Sequence, residues 1–108
     1  MIPDRLYEVL KKYAESQRIQ LNKDKDFVME ILEGLLKNES RYGYRSCPCR
    51  LATGEKEKDQ DIICPCVYRD PDIEEYGSCY CRLYVSKEWN EDKIQHRKVP
   101  ERRKVQNV

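Results

Sequence analysis

All six cysteines of the chain fall between Cys47 and Cys81, in three pairs with a single residue between partners: Cys47-Pro48-Cys49, Cys64-Pro65-Cys66 and Cys79-Tyr80-Cys81. Thiolates are ligands of zinc and of iron–sulfur clusters, and they are the nucleophiles of disulfide exchange. A proline fixes its own φ and biases the residue before it towards extended backbone. Extended neighbours point to opposite sides. The two sulfurs of a pair are therefore expected to face apart, with bonds forming between pairs and with the members of one pair free to take different tasks.

Four thiolates complete either a zinc site or an iron–sulfur cluster, and four from six leave one dithiol over. Structural zinc sites usually separate paired cysteines by two to four residues, whereas each spacer here is one residue. Beside an electron-carrying centre, a spare dithiol has a use as a redox-active disulfide. Residue arithmetic alone leaves iron and zinc both open. Three structural disulfides are disfavoured, because the start of the chain (Met1-Ile2-Pro3-Asp4-Arg5) lacks the apolar stretch of a secretory signal. No apolar run approaches the roughly 18 residues of a membrane span either. A cytoplasmic protein is expected, in surroundings that keep thiols reduced.

The elements that must position these cysteines are few. The chain has 108 residues, which suits one domain. It is 39% hydrophobic and 38% charged, with a mean hydropathy of −0.94, so its core is thin and a metal staple is valuable. The net charge of +1 supplies no global field for an acidic partner. Pro3 and Asp4 suit a first helical turn, and Leu6, Val9, Leu10, Tyr13 and Ala14 recur at helical spacing, predicting a helix over about 4–17. A second helix is predicted over about 24–37, capped by Asp24 or Asn22, with Phe27, Val28, Ile31, Leu32, Leu35 and Leu36 on its apolar face. Gly34 inside that helix costs about 1 kcal/mol relative to alanine and permits close packing.

Residues 38–46 are read as a turn-rich connection, with Arg41, Arg45 and Arg50 around the first cysteine pair and Tyr42 and Tyr44 beside it. Glu55–Asp61 is a charged run with room for one helical turn. Tyr68–Asp72 is read as a turn, Ile73–Tyr76 as helical, Leu83-Tyr84-Val85 as an apolar run packing back onto the helices, and Lys87–Asp92 as a helical turn. The tail concentrates cations: Lys93, His96, Arg97, Lys98, Arg102, Arg103 and Lys104 against Glu101. His96 is expected to be solvated there. Lys98, Arg102, Arg103 and Lys104 offer a patch for an acidic partner.

The order C-P-C-R, C-P-C, C-x-C resembles the catalytic (beta) subunit of ferredoxin:thioredoxin reductase, whose pattern is C-P-C, C-P-C, C-H-C. Arg41-Tyr42-Gly43-Tyr44, Asp61-Ile62-Ile63 and Pro100-Glu101-Arg102-Arg103 also look like that family, so the resemblance runs from about 41 to 103. It implies a small, mainly α domain folded around a 4Fe-4S cluster: a helical cap (1–40), a cluster and disulfide region (41–92) and a basic tail (93–108). Carried over by position, Cys47, Cys64, Cys66 and Cys79 match the cluster ligands. Cys49 and Cys81 match the redox-active disulfide, with Cys49 the exposed nucleophile and Cys81 the sulfur that stays near the cluster.

The implied activity passes electrons singly from a ferredoxin-like donor to that disulfide, then to a thioredoxin-like or other protein disulfide, with Arg45 and Arg50 placed to stabilise thiolate. A second subunit is possible by the same resemblance; a nucleic-acid partner is not expected for this reading. Tyr80 stands where the family pattern has histidine, and the spacers 50–63 and 67–78 differ from the plant and cyanobacterial ones, as in a bacterial or archaeal relative. The alternative is a non-enzymatic zinc module whose basic tail binds nucleic acid or an acidic protein.

Overall fold

Two helices and a short two-stranded ribbon form the frame on which the cysteine turns are hung. The computed structural model describes residues 2–50 and 52–102. Helix α1 (Pro3–Ser16) begins with Pro3 in its first turn and Asp4 beside the helix N-terminus, as expected, and buries Leu6 and Ala14. Val9, predicted on the apolar stripe, is exposed. Arg18 turns the chain with φ +60° and leads into strand β1 (Gln20–Leu21).

Asn22 and Asp24 divide the capping work that either residue was predicted to do. Asp24 accepts a hydrogen bond from the Phe27 amide at 3.2 Å, so it is the cap of helix α2 (Lys25–Tyr42). Asn22 is buried, accepts from the Asp24 amide and donates from Nδ2 to the Arg82 carbonyl at 3.1 Å, tying the helix entrance to the far end of the cysteine region. Helix α2 runs five residues past the predicted end at 37. Its stop is Gly43, in the left-handed region at φ 87°, which closes the last turn by donating to the Glu39 carbonyl. Asn38 and Ser40 are weak helix formers, but Asn38 Nδ2 bonds the Ser46 carbonyl at 3.0 Å, so its side chain anchors the next segment instead of unwinding its own.

The charged run forms one short helix, α3 (Lys56–Asp59), followed by a 3₁₀ turn over Gln60–Ile62. Buried Asp59 organises it, accepting from the Tyr44 hydroxyl at 2.5 Å, the Thr53 amide and hydroxyl, and the Gly54 amide. Helix α4 (Arg69–Tyr76) begins earlier than predicted. Pro71 lies in its first turn, where no intrahelical partner for its nitrogen is required, so a segment read as a turn is helical. Strand β2 (Tyr84–Val85) pairs antiparallel with β1, Gln20 opposite Val85 and Leu21 opposite Tyr84. Helix α5 (Lys87–Asn90), capped by Ser86, buries Trp89.

The core joins Leu6, Ala14, Leu21, Val28, Ile31, Leu32 and Leu35 to Leu83, Tyr84 and three of the cysteines, Cys47, Cys79 and Cys81. The mainly helical class and the helical cap over a cysteine region are therefore as the sequence predicts. No helix among the described residues is long and apolar enough to cross a membrane.

Candidate redox centre

Each cysteine pair is held by backbone bonds outside its own turn. The Cys47 amide donates to the Ile62 carbonyl and the Cys64 amide to the Arg45 carbonyl, both at 2.8 Å, so the first two pairs enter side by side. The Cys79 amide donates to the Tyr84 carbonyl at 2.9 Å, which fastens the third pair to β2 and through it to β1. The peptide before Pro65 is cis.

The expectation that paired sulfurs face apart fails for two pairs. Cys47-Pro48-Cys49-Arg50 and Cys79-Tyr80-Cys81-Arg82 are closed by the same bond, from the arginine amide back to the first cysteine carbonyl, at 3.1 and 3.0 Å. Each is a tight turn and not extended backbone, so the alternation of strands does not apply. The sulfurs of Cys79 and Cys81 are 3.7 Å apart, and those of Cys47, Cys49 and Cys81 lie within 4.8 Å of one another. All six thiols are free.

Their surroundings separate them. Cys47, Cys64, Cys66, Cys79 and Cys81 line one cavity, with Arg69, Tyr80 and Tyr84 completing its wall. Cys49 is not on that wall; it is exposed. Hydrogen bonds from the Cys47 and Cys81 thiols hold the Cys49 thiol far below its ordinary range, at about 4, and the charge of Arg50 adds to the effect. In return, the bond to Cys49 pushes Cys47 up to about 11, and bonds to Cys47, Cys49 and Cys79 push Cys81 up. Cys79 is lowered by its bond with Cys81 and by the Tyr84 amide, which donates to its sulfur at 3.3 Å. Burial raises Cys64 and raises Cys66 to about 11.

Of the arginines predicted around the first pair, Arg50 alone is built into the centre. Its side chain is 0% exposed, with the guanidinium 4.7 Å from the ring centres of Tyr68 and Tyr80. Asp72 at 3.9 Å and Glu101 at 3.3 Å balance its charge. Arg45 pairs with Glu39 at 3.7 Å and its charge acts on Cys64, not Cys49. Arg41 rests on Tyr42, and Tyr42 and Tyr44 stack on each other beside the Asp59 loop.

The tail departs from expectation. Arg102 is held by Asp72 and Glu75 on α4, Arg97 lies on Tyr76 and donates to the Glu75 carbonyl, and Glu101 reaches Arg50. Arg102 is therefore a structural clamp and not a free docking cation; Arg103 and Lys104 lie outside the described residues. His96 is not simply solvated, since its ring stacks on Trp89 at 3.7 Å and Nε2 meets the Trp89 carbonyl at 2.7 Å.

The donor set suits a metal centre held by thiolates: the wall carries five sulfurs, and Tyr84 beside them has a buried hydroxyl with no hydrogen-bond partner among the described residues. The family model described as ferredoxin thioredoxin reductase catalytic beta chain matches residues 4–107, nearly the whole chain. The chain belongs to this family. Its membership makes it an oxidoreductase of the disulfide-reducing kind. No curated protein matches it. Sequence reasoning found all six cysteines and Tyr80 of this centre but missed Arg69, Asp72, Tyr84 and the role of Glu101. The recurring C-x-C-R, at 47–50 and 79–82, was the available signal for the twin turns.

Proposed function

We propose that this chain is the catalytic subunit of a ferredoxin-dependent disulfide reductase, with Cys47, Cys64, Cys66 and Cys79 holding a 4Fe-4S cluster and Cys49 and Cys81 forming the redox-active disulfide. The observation that carries this reading is the division of the thiols: five line one cavity, while Cys49 stands exposed with its sulfur within 4.8 Å of Cys47 and Cys81. A cluster bound in that cavity would supply electrons one at a time.

Opening the Cys49–Cys81 bond consumes two electrons and two protons and yields two thiols. The Cys49 thiolate, stabilised by its sulfur neighbours and by Arg50, then attacks one sulfur of the target disulfide and expels the other as a thiolate. Cys81, buried and adjacent, attacks Cys49 in the mixed disulfide. The Cys49–Cys81 bond re-forms and the reduced target leaves. A ferredoxin-like donor, a thioredoxin-like target and a second subunit accompany this reading, since the family description names the first two and calls its member a beta chain.

One observation favours a second reading. Cys47, Cys49 and Cys81 are the one group of three such ligands among the described residues close enough for a single ion, as a zinc module would require. Metal and sulfide analysis of anaerobically purified protein separates the two: iron with acid-labile sulfide supports the reductase, and zinc without sulfide supports the module. On the reductase reading, Cys47→Ser, Cys64→Ser, Cys66→Ser and Cys79→Ser each lose iron. Cys49→Ser and Cys81→Ser keep it and lose disulfide reduction. A Cys49→Ser protein as poor in iron as Cys64→Ser would sink the assignment.

A further inference from the structure

We propose that Tyr84 is a positioning residue of the redox centre, donating a hydrogen bond from Oη to a cluster-site sulfur and so raising the ease with which that centre takes up an electron. The inference rests on the cluster reading above. Tyr84 is 1% exposed and its backbone is pinned on both sides, by pairing with Leu21 across the ribbon and by exchange of bonds with Cys79, amide to sulfur at 3.3 Å and carbonyl to amide at 2.9 Å. The ring is also fixed, with Tyr13 edge-on at 6.0 Å and the Arg69 guanidinium 5.5 Å from its centre. The side chain therefore stays on the cavity wall that Arg69 and five cysteines share.

Its hydroxyl is buried and bonds nothing among the described residues. Leaving such a group unpaired is costly, a cost that phenylalanine in the same volume would not carry. The neighbouring Tyr13 hydroxyl is already engaged, accepting from Arg69 Nη1 at 2.6 Å. Tyr84 lines the same cavity as Cys64 and Cys79, and a tyrosine hydroxyl, with an ordinary pKa of about 10, carries its proton at working pH. A buried donor beside thiolate sulfurs makes a charge-assisted bond. Such bonds strengthen as the centre gains negative charge, which stabilises its reduced form. Ser46 and Ser78 also carry buried hydroxyls without a partner among the described residues, but neither lies on the cavity wall.

The test compares wild-type, Tyr84→Phe and Tyr13→Phe proteins, matched for iron and sulfide, by redox titration of the visible absorption. For a bond worth about 1 kcal/mol, Tyr84→Phe lowers the reduced-to-oxidised ratio at a fixed potential about fivefold, or about 40 mV at 59 mV per tenfold for one electron. Tyr13→Phe leaves it unmoved. Should Tyr84→Phe fail to load, 3-fluorotyrosine at position 84 keeps the volume, strengthens the donor and moves the ratio the other way. A loaded Tyr84→Phe protein with the wild-type ratio, or a fluorotyrosine protein with no shift, overturns this inference while leaving the reductase reading standing. A wild-type protein without iron and sulfide overturns both.

Discussion

Gly34→Ala probes how tightly helix α2 sets the first cysteine turn. Gly34 faces Pro48, the residue between Cys47 and Cys49, and a β-carbon there would lie 2.8 Å from Pro48 Cβ and 3.2 Å from Pro48 Cγ. Carbon atoms pack at about 3.5–4.0 Å, so the proline must recede by well over half an ångström. Its ring is bonded into the backbone and cannot swing away as a side chain would. The movement therefore passes to Cys47 and Cys49.

Two energies compete. Alanine in mid-helix gains about 1 kcal/mol over glycine, and overpacking costs about 1–3 kcal/mol. The net change falls between neutral and about 2 kcal/mol of destabilisation, or at most about 10 °C in Tm for a domain of this size. Activity suffers more, because a misplacement of about 1 Å near reacting atoms can cost about 100-fold in rate. About tenfold is expected here. The assay is the rate of Cys49–Cys81 closure, followed by thiol trapping, together with target reduction and thermal unfolding. A Gly34→Ala protein about 1 kcal/mol more stable, with wild-type closure, would show that the turn yields freely and refute the reasoning.

Arg50→Met removes a guanidinium held between Tyr68 and Tyr80 and leaves buried Asp72 facing one cation fewer. Breaking a buried pair costs about 3–5 kcal/mol, and a loss under about 0.5 kcal/mol in denaturant unfolding would contradict the sandwich. Alkylation of Cys49 in the reduced protein should be nearly independent of pH from about 8 down to about 5, because a thiol lowered to about 4 is already thiolate above that value and loses reactivity only as pH falls through it. A rate that climbs tenfold per pH unit towards 8 would refute the lowered value.

Local signals placed the helix starts well. Pro3 and Asp24 act on the first turn of their own helices, and that is where the chain begins both. The end of α2 was missed because Asn38 and Ser40 resemble a connection in isolation, whereas the Asn38–Ser46 bond exists only once the following segment has folded back. Gly43 was the stop signal in plain view. The cysteines were legible as a centre, and the resemblance divided their roles. Their directions were not legible, because the rule for extended backbone was applied to two turns. Tyr84 read as packing for a similar reason. Its place beside Cys79 depends on its register with Leu21, 63 positions earlier in the chain.

Long-range contacts also set the charge around Tyr80, the residue that stands where the resembled pattern has histidine. Tyr80 occupies that position on the cavity wall, and its ring rests on Arg50, which the first turn contributes from 30 residues away. An arginine carries its charge at any working pH, so the cation beside Cys49 does not come and go as an imidazole charge would. Glu101 and Asp72 make that cation tolerable in a buried place, and Arg102 ties Asp72 and Glu75 to the same tail segment. Glu101 and Arg102 thus complete the electrostatics of a thiol more than 50 residues earlier. Glu101 and Arg102 pack against the redox centre through Arg50 and Asp72, although composition alone presents their segment as a basic tail.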